Sequence, residues 1–165
     1  MRLTTFSDYS LRVLMYLGAR DDRVATIGEI AQAYDVSENH LMKVVHHLAQ
    51  RGYVETLRGR GGGMRLARAA GDINVGEVVR GTEDCSHLVE CFDPAIQGCR
   101  IAPGCTLKGL LGQAMDAFFQ VLDRHTLADL LLTRPRLVQL LASPGRGATA
   151  APSGGRGVRG RRRAG

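Results

Sequence analysis

Apolar side chains recur at helical spacing through the first fifty residues, and this pattern predicts three helices. The first helix would run over residues 6–20. Thr26 and Glu29 have the spacing of a capping box and predict a second helix over residues 27–34. Ser37 is expected to cap a third helix. The apolar positions that repeat on these helices are Phe6, Tyr9, Val13, Leu14, Leu17, Ile27, Ile30, Ala31, Tyr34, Leu41, Val44, Val45 and Leu48.

The residues after the third helix predict a β-hairpin. Gly52 ends the helix, and the alternating run 53–57 has the pattern of a strand. Residues 58–63, Arg-Gly-Arg-Gly-Gly-Gly, supply a turn because glycine accepts positive φ, and residues 64–66 form the return strand. Two helices joined by about three residues and followed by a hairpin have the order of a winged helix-turn-helix.

The second half of the chain predicts a long helix that follows an irregular loop. A short helix is expected over residues 73–82, and residues 85–105 contain prolines and glycines that break regular structure. A long helix is expected over residues 107–122, and a second capping box precedes a further helix over residues 127–132. The apolar stripe of the long helix consists of Leu107, Leu110, Leu111, Ala114, Phe118, Val121 and Leu122.

These patterns divide the chain into four segments within a fold that is mainly α with a small β-hairpin wing. Residues 1–82 have the order of a winged helix-turn-helix, which predicts a DNA-binding domain, and residues 83–106 would form a cysteine-rich loop. Residues 107–142 hold the long helix and shorter C-terminal helices. Residues 143–165 are rich in Gly, Pro, Ala and Arg, a composition that cannot build a core and predicts a disordered tail.

The formal net charge of +6 belongs to the tail. Residues 143–165 carry six arginines and no acid, so residues 1–142 are neutral, with +3 on residues 1–70 and −3 on residues 71–142. Net charge is therefore no argument for a DNA-binding domain. The tail can add salt-dependent affinity for DNA without sequence preference, and a solvated appendage with no specific role is the open alternative.

Composition and motifs exclude several classes of protein. Hydrophobic residues at 44% and charged residues at 23% are typical of a soluble globular chain, and no apolar run is long enough to span a membrane. The N-terminus lacks an uninterrupted signal-peptide core, so we expect a cytoplasmic protein with reduced or metal-bound thiols. The chain shows no phosphate-binding glycine loop before a helix, no nucleophile elbow and no carboxylates paired for acid–base work. These patterns predict that the protein is not an enzyme.

The exposed N-terminal face of the third helix offers the groups that a recognition helix needs. Its candidate base-contacting residues are Ser37, Asn39, His40 and Lys43. Asparagine can pair with adenine through two hydrogen bonds, whereas lysine suits guanine or a phosphate. Arg58 and Arg60, flanked by glycines at the wing tip, suit the minor groove or phosphates. A solvated helix face and turn is the alternative, but the ordered combination of helices and hairpin favours DNA.

Four cysteines lie in the irregular loop, and their spacing bears on the metal that they suit. They are Cys85, Cys91, Cys99 and Cys105. No two of them have the short spacing of a structural zinc pair. Thiolates gathered in a loop that can wrap a cofactor suit an iron–sulfur cluster, and a redox thiol switch stays open. A small iron–sulfur electron-transfer protein, in which the helical pattern is only packing, is the alternative from a different class.

Several stretches resemble the Rrf2 family of bacterial winged-helix repressors, over nearly all of residues 1–142. They are LTTFSDYSLRVLMYL at the start, VSENHLMKVVHHL in the third helix, GYVETLRGRGGGMRLA in the hairpin and CRIAPGCTLKGLL before the long helix. Asp8 and the segment HTLADLL are similar to the nitric-oxide-sensing members of that family. The tail has no counterpart in this resemblance.

The resemblance implies a homodimeric transcriptional repressor that binds pseudo-palindromic double-stranded operators. The long helix would cross that of the partner subunit, so residues 107–142 become the dimerisation segment and residues 83–106 the cluster-binding loop. Arg12, on the polar side of the first helix, joins the candidate DNA contacts.

The resemblance also implies a 4Fe–4S cluster and a signal. Its ligands would be Cys91, Cys99, Cys105 and Asp8 of the partner subunit. An oxygen ligand holds iron more weakly than a thiolate, so Asp8 marks the position open to a small diatomic ligand. Nitric oxide would attack there, release the operator and derepress genes for nitric-oxide stress.

Three alternatives to this ligand set stay open. Cys85 competes with Asp8 for the fourth position; Asp8 is favoured because Cys85 follows a predicted helix end and an all-thiolate site has no labile position. The cluster-assembly regulators of the same family hold 2Fe–2S with a histidine three residues after the last cysteine. Lys108 occupies that position here, which argues against 2Fe–2S, with His87 or His125 as substitutes. A cluster-free thiol regulator is the third alternative.

Overall fold

The computed structural model describes residues 2–84, 89, 92–93 and 99–142. Two of the candidate cluster ligands, Cys85 and Cys91, lie outside the described residues, as do His87 and the predicted disordered tail, 143–165. The remaining candidate residues all lie within the described ranges, so their positions follow directly from the structure.

The three helices predicted near the N-terminus are confirmed. Helix α1 spans Thr5–Ala19 and begins where the Ser7 backbone N–H donates a hydrogen bond of 3.2 Å to the Thr4 hydroxyl. Helix α2 spans Ile27–Tyr34 and begins at the predicted capping box. Helix α3 spans Glu38–Gln50.

Left-handed residues turn the chain at the ends of α2 and α3. Asp35 has a φ of 53°, and the next backbone N–H donates to the Ala31 carbonyl at 3.0 Å, which gives the tight turn of the helix-turn-helix. Gly52 has a φ of 69°, which glycine adopts without strain. The Tyr53 backbone N–H then donates to the Leu48 carbonyl at 2.9 Å, the six-residue closure of a Schellman motif.

One detail of the predicted α3 start is wrong. Ser37 occupies the N-cap position, but its side chain makes no capping hydrogen bond. The Ser37 carbonyl still accepts a hydrogen bond from the Leu41 backbone N–H at 3.2 Å. Because the Ser37 side chain is exposed, water is an alternative partner for its hydroxyl.

The wing is a two-stranded antiparallel hairpin, as predicted. Strand β1, Val54–Leu57, pairs with strand β2, Gly63–Leu66. Ala25, in the connection between α1 and α2, adds a short third edge that the sequence pattern did not predict. The backbones of Ala25 and Met64 exchange hydrogen bonds of 2.9 and 2.8 Å, which fixes the base of the wing against the helices.

The elements after the wing agree with their predicted order. A 3-10 turn, Ala70–Asp72, precedes helix α4, Val75–Arg80. Another 3-10 turn, Ala102–Gly104, precedes the long helix α5, Thr106–Asp123. The predicted short helix over residues 73–82 is therefore present but shorter.

The C-terminal helical segment differs from the predicted helix over residues 127–132. Helix α6 begins at the predicted capping box of Thr126 and Asp129 but spans only Leu127–Leu130. A turn follows, and helix α7 spans Arg134–Ala142. Pro135 explains the new helix, since proline lacks an N–H and is tolerated in a first helical turn.

One apolar core joins α1, α2, α3 and the wing, and the last two helices contribute to it. Leu127 of α6 and Leu141 of α7 are buried in the same cluster as Val13 and Leu14 of α1. No helix among the described residues is long and apolar enough to cross a membrane.

Candidate DNA interface and metal ligands

The N-cap residue and the N-terminal half of α3 present all four predicted base-contacting side chains to solvent. They are Ser37, Asn39, His40 and Lys43, each exposed. The opposite face of the helix carries its buried residues, which are Leu41, Val44, Val45 and Leu48. Burial of that face in the core fixes which side of α3 can meet a ligand.

Two further exposed residues lie on the outward side of α3 and were missed from the sequence. Met42 is 50% exposed, and His46 is also exposed. His46 lies two helical turns after Asn39, so the two side chains share one face. The sequence signal that identifies His46 is its helical spacing from Asn39. His47 is half-buried and packs edge-on against Phe6, with ring centroids 5.3 Å apart.

A groove between α1 and α3 takes in two of the predicted DNA contacts. Its volume is about 320 Å³, and its lining residues are Thr5, Phe6, Tyr9, His40, Lys43 and Val44. The Tyr9 and His40 rings are tilted with centroids 6.4 Å apart. His40 and Lys43 therefore lie toward α1, whereas Asn39 lies toward open solvent.

The wing tip presents Arg58 and Arg60 on an exposed glycine turn. Gly59 and Gly61 alternate with the arginines and have φ values of 99° and 79°, which side-chain-bearing residues rarely adopt. The turn closes with a hydrogen bond of 2.9 Å from the Gly62 backbone N–H to the Gly59 carbonyl. The two guanidinium groups are thus carried beyond the paired strands.

The base of the wing is tied to the end of α3 by Arg68. Its guanidinium donates hydrogen bonds of 3.0 and 3.1 Å to the carbonyls of Arg51 and Gly52, and it lies 4.6 Å from the ring centroid of Tyr53. Burial raises the pKa of Tyr53, so this residue stays a neutral aromatic partner for Arg68 at neutral pH. The position of the wing relative to the recognition helix follows from these contacts.

Asp8 is an accessible carboxylate on α1 that is paired with Arg12 one turn later. Arg12 donates through Nε to Oδ1 at 3.0 Å, and its Nη2 lies 2.9 Å from Oδ2. The Arg12 guanidinium also lies 5.6 Å from the ring centroid of Tyr34 on α2. Burial raises the pKa of Tyr34 to about 12, so its ring is uncharged. Arg12 is thereby held to Asp8 rather than extended freely as a predicted DNA contact.

Cys99 and Cys105 bracket the 3-10 turn that leads into α5. Both are free thiols, with Cys99 exposed and Cys105 partly exposed. Backbone hydrogen bonds join them to the turn: the Ala102 N–H donates to the Cys99 carbonyl at 3.2 Å, and the Cys105 N–H donates to the Ala102 carbonyl at 3.3 Å. Cys105 is the N-cap residue of α5.

The described donors fit a cofactor that takes soft thiolate ligands, but one chain does not assemble them with Asp8. No group of three or more His, Cys, Asp or Glu side chains able to hold a metal ion lies within the part of the chain that the structure describes. Two accessible thiols on one tight turn are suitable donors for iron in a sulfide cluster. Lys108, three residues after Cys105, is exposed in the first turn of α5, at the position where the family resemblance predicts a histidine for a 2Fe–2S cluster.

Helix α5 carries an apolar surface that the single chain leaves uncovered. Leu107, Leu110 and Val121 are 56%, 63% and 55% exposed, although all three belong to the predicted apolar stripe. Phe119 is the one buried residue of α5. The guanidinium of Arg80, on α4, lies 4.4 Å from the centroid of the Phe119 ring. The exposed side chains of the stripe therefore do not pack into the apolar core of their own chain.

A recognition helix with exposed polar and basic groups, joined to a hairpin with an arginine-bearing tip, defines a winged helix-turn-helix DNA-binding protein. Residues 3–133 match the family described as "Rrf2: Iron-dependent Transcriptional regulator". The chain belongs to this family, which confirms the resemblance drawn from its motifs. It is a DNA-binding transcriptional regulator and not an enzyme.

Similar proteins agree with this assignment. The chain is 51% identical over 142 residues to the HTH-type transcriptional regulator NsrR of Bacillus subtilis, covering 86% of this chain and 97% of that protein. Its fold is similar to that of T. potens IscR, with a TM-score of 0.65 and 25% identity over 79% of this chain and 86% of that one. It is also similar to CymR, the global cysteine regulator of B. subtilis, with a TM-score of 0.63 and 27% identity over 79% and 95% of the two chains.

Proposed function

We propose that this chain is a homodimeric repressor that senses nitric oxide through a 4Fe–4S cluster and then releases a pseudo-palindromic operator. The ligands of each cluster are Cys91, Cys99 and Cys105 of one subunit and Asp8 of the partner subunit. When bound, the cluster supplies iron that reacts with nitric oxide. Release of the operator derepresses genes that protect against nitric-oxide stress.

The observation that carries the proposal is the pair of accessible thiols at the start of α5. Cys99 and Cys105 are free, lie at either end of one turn, and precede a helix whose apolar stripe is exposed. A second copy that covers this stripe shields the adjacent turn as well. The thiols then lie at the edge of an interface, where a carboxylate from the other chain completes the ligand set.

Asp8 suits the role of the weaker ligand. It is accessible and its oxygens are held by Arg12, so exchange of a guanidinium partner for iron requires no unfolding of α1. A carboxylate holds iron less firmly than a thiolate, which leaves one position open to a diatomic molecule.

The packing of α1 on α3 links this ligand to DNA. Asp8 lies between Phe6 and Tyr9 on α1, and these rings contact His47 and His40 of α3. A shift of α1 on loss of the Asp8 bond thus reaches the recognition helix through direct ring contacts. Such a two-state packing is what a switch requires.

Anaerobic titration with nitric oxide tests the proposal. Protein purified without oxygen should be brown, and operator binding, followed by fluorescence anisotropy, should fall in step with the visible absorption. Colourless protein that binds the operator equally well with and without nitric oxide would exclude the cluster mechanism. Operator binding that responds to oxidants in cluster-free protein would instead support the thiol regulator.

The ligand assignment has its own test. Asp8→Ala should alter the cluster spectrum and its rate of reaction with nitric oxide. Asp21→Ala is the matched control, because Asp21 is also an exposed aspartate paired with an arginine, Arg134. Identical spectra for wild type and Asp8→Ala would assign the fourth position to another donor, with Cys85→Ala as the next variant.

A further inference from the structure

The groove between α1 and α3 borders the exposed face of α3 and includes two of its predicted DNA contacts, His40 and Lys43. It is defined by Thr5, Phe6, Tyr9, His40, Lys43 and Val44, and it is open to solvent. Thr5 lies one helical turn before Asp8, and Tyr9 follows it directly, so a group that binds Asp8 lies within one turn of the groove.

We infer that this groove binds the 99–104 turn of a second copy of the chain, and that Ile101 is the apolar side chain that anchors this turn in the groove. The inference rests on the proposed cluster ligation and deepens it, since it names the surface that receives the partner's cluster-bearing turn. It uses only the described residues of that turn.

Exposure and position single out Ile101. It lies between Cys99 and Cys105 and is 67% exposed in the single chain, although it is among the larger aliphatic side chains. If the two cysteines bind iron that Asp8 of the partner subunit also binds, Ile101 is brought to the side of that partner's α1. The groove there has apolar walls from Phe6, Tyr9 and Val44 and a volume of about 320 Å³, enough for an isoleucine side chain and part of its turn.

Charge at the groove matches the same occupant. Lys43 lines the groove, and the Arg12 guanidinium that pairs with Asp8 lies 6.0 Å from the ring centroid of Tyr9, a groove residue. Three thiolates and a carboxylate bring four negative charges to a cluster, and nearby cations stabilise such a group. An apolar anchor next to an anionic group is the combination that this groove complements.

Binding of the partner's turn in this groove also explains how the DNA-reading helix responds to the state of the cluster. His40 and Lys43 are groove residues and predicted DNA contacts at once. Occupation of the groove fixes the surroundings of both side chains, and loss of the occupant frees them without any need to displace the packed face of α3.

The chain offers a direct test because it contains only two lysines, Lys43 in the groove and Lys108 in the first turn of α5. A short amine-reactive crosslinker is applied to anaerobic, cluster-loaded dimers prepared from equal amounts of ¹⁴N- and ¹⁵N-labelled protein. We expect a Lys43–Lys108 link in mixed-isotope form, and its loss in Lys43→Arg. A Lys43–Lys108 link found only between peptides of the same isotope, or no such link in the cluster-loaded dimer, would overturn the proposal that the turn binds in this groove.

A second measurement uses the anchor. Ile101→Asp should abolish the inter-chain link and weaken operator binding of the loaded protein about tenfold, which corresponds to ~1.4 kcal/mol. Leu132→Asp is the control, since Leu132 is 82% exposed and lies outside the groove. Equal behaviour of the two variants would overturn the role of Ile101.

The experiments distinguish an error in the proposed binding of the turn from an error in the proposed function. Cluster absorption and nitric-oxide release of the operator are measured on the same wild-type preparation. If cluster absorption and nitric-oxide release are both normal while the Lys43–Lys108 link is missing, only the proposed binding of the turn in the groove is rejected. If the protein holds no cluster, the proposed function fails independently of the crosslink.

Discussion

Arg80 donates two parallel hydrogen bonds to Asp123, from Nη1 to Oδ1 and from Nη2 to Oδ2, each at 2.6 Å. The pair joins α4 to the last residue of α5, and the Arg80 guanidinium also covers the Phe119 ring. These hydrogen bonds hold the pKa of Asp123 below its usual value, so the carboxylate is charged at neutral pH. A planar guanidinium bound at two points fixes orientation as well as distance.

Backbone and side-chain hydrogen bonds extend this junction. The Asn74 side chain donates to the Asp123 carbonyl at 2.7 Å, and the Val75 N–H donates to the His125 carbonyl at 3.0 Å. The Leu127 N–H then donates to the Ile73 carbonyl at 2.8 Å. The end of the long helix and the residues after it are therefore tied to α4 and the residues before it at several points.

Gly76→Ala should disrupt this junction. A Cβ at Gly76 would overlap Oδ1 of Asp123 and lie 3.1 Å from the Asp123 backbone nitrogen, so the ion pair must move. We expect a loss of about 1–3 kcal/mol in the free energy of unfolding, measured by urea denaturation. Gly71→Ala is the control because a Cβ there meets no atom within 4 Å. Equal stability of the two variants would mean that the two segments are not closely packed.

Arg58→Ala and Arg60→Ala should weaken DNA binding without changing its sequence preference. Both side chains are exposed at the wing tip, where they can neutralise phosphates. Each variant should reduce the slope of log K against log salt concentration by about one. Arg65→Ala in the same hairpin is the control, since Arg65 is paired with Glu55 and contributes little net charge. A salt slope unchanged in all three variants would place the wing away from DNA.

Asn39→Ala should instead change which sequence is bound. Asn39 is exposed at the start of α3, where a side-chain amide can read an adenine through two hydrogen bonds. Its removal should cost about 1–3 kcal/mol against the preferred base at one position of each half-site and little against the others. Competition binding with single-base operator variants measures this, with exposed Gln50→Ala at the other end of the helix as control. A uniform loss across all variants would indicate a phosphate contact.

Local signals predicted the helices and the wing because the interactions that begin and end them lie within a few residues. The Thr26–Glu29 and Thr126–Asp129 boxes, and the left-handed turn at Gly52, were readable from residue types at fixed spacing. The same reasoning gave a wrong prediction at Ser37, whose side chain makes no capping hydrogen bond although it lies at the N-cap position. An exposed serine hydroxyl can bond to water instead.

Contacts between distant residues could not be predicted in this way. The Ala25–Met64 bridge joins segments far apart in the sequence, and no periodicity encodes it. Arg134 of α7 reaches the Ala19 carbonyl at the end of α1, which only the packed fold reveals. The orientation of His40 and Lys43 toward α1 also depends on tertiary packing. Spacing correctly predicted that they are exposed, while their place beside Tyr9 required the structure.

Acid should destabilise α2 through Glu29. The Thr26 backbone N–H donates to its carboxylate at 2.7 Å, and this bond, with support from Arg23, holds the pKa of Glu29 below the ordinary 4.5. Because the folded pKa lies below the unfolded one, the stabilisation is fully present above the unfolded pKa and is lost as pH falls through the folded pKa.

Glu29→Gln tests this sign. Glutamine retains an acceptor but does not titrate, so the variant should be less stable than wild type at neutral pH, and the gap should close below about pH 5. Urea midpoints across a pH series measure it. Glu38→Gln is the control for replacing an exposed carboxylate in a first helical turn, because its helix has no side-chain cap. A constant gap for Glu29→Gln would show that the carboxylate charge contributes nothing to the cap.

Leu110→Asp should dissociate the proposed dimer while the fold of each chain persists. Leu110 is 63% exposed on α5 and, in a symmetric pair, both copies of it would leave water on association. Burial of one leucine contributes about 1.5–3 kcal/mol, so loss of two such side chains should raise the dimer dissociation constant by at least about 100-fold. Sedimentation velocity measures the change. Leu140→Asp is a matched control, because Leu140 is also a leucine with 63% exposure but lies on α7. A dimer that survives Leu110→Asp and dissociates with Leu140→Asp would move the interface from α5 to α7.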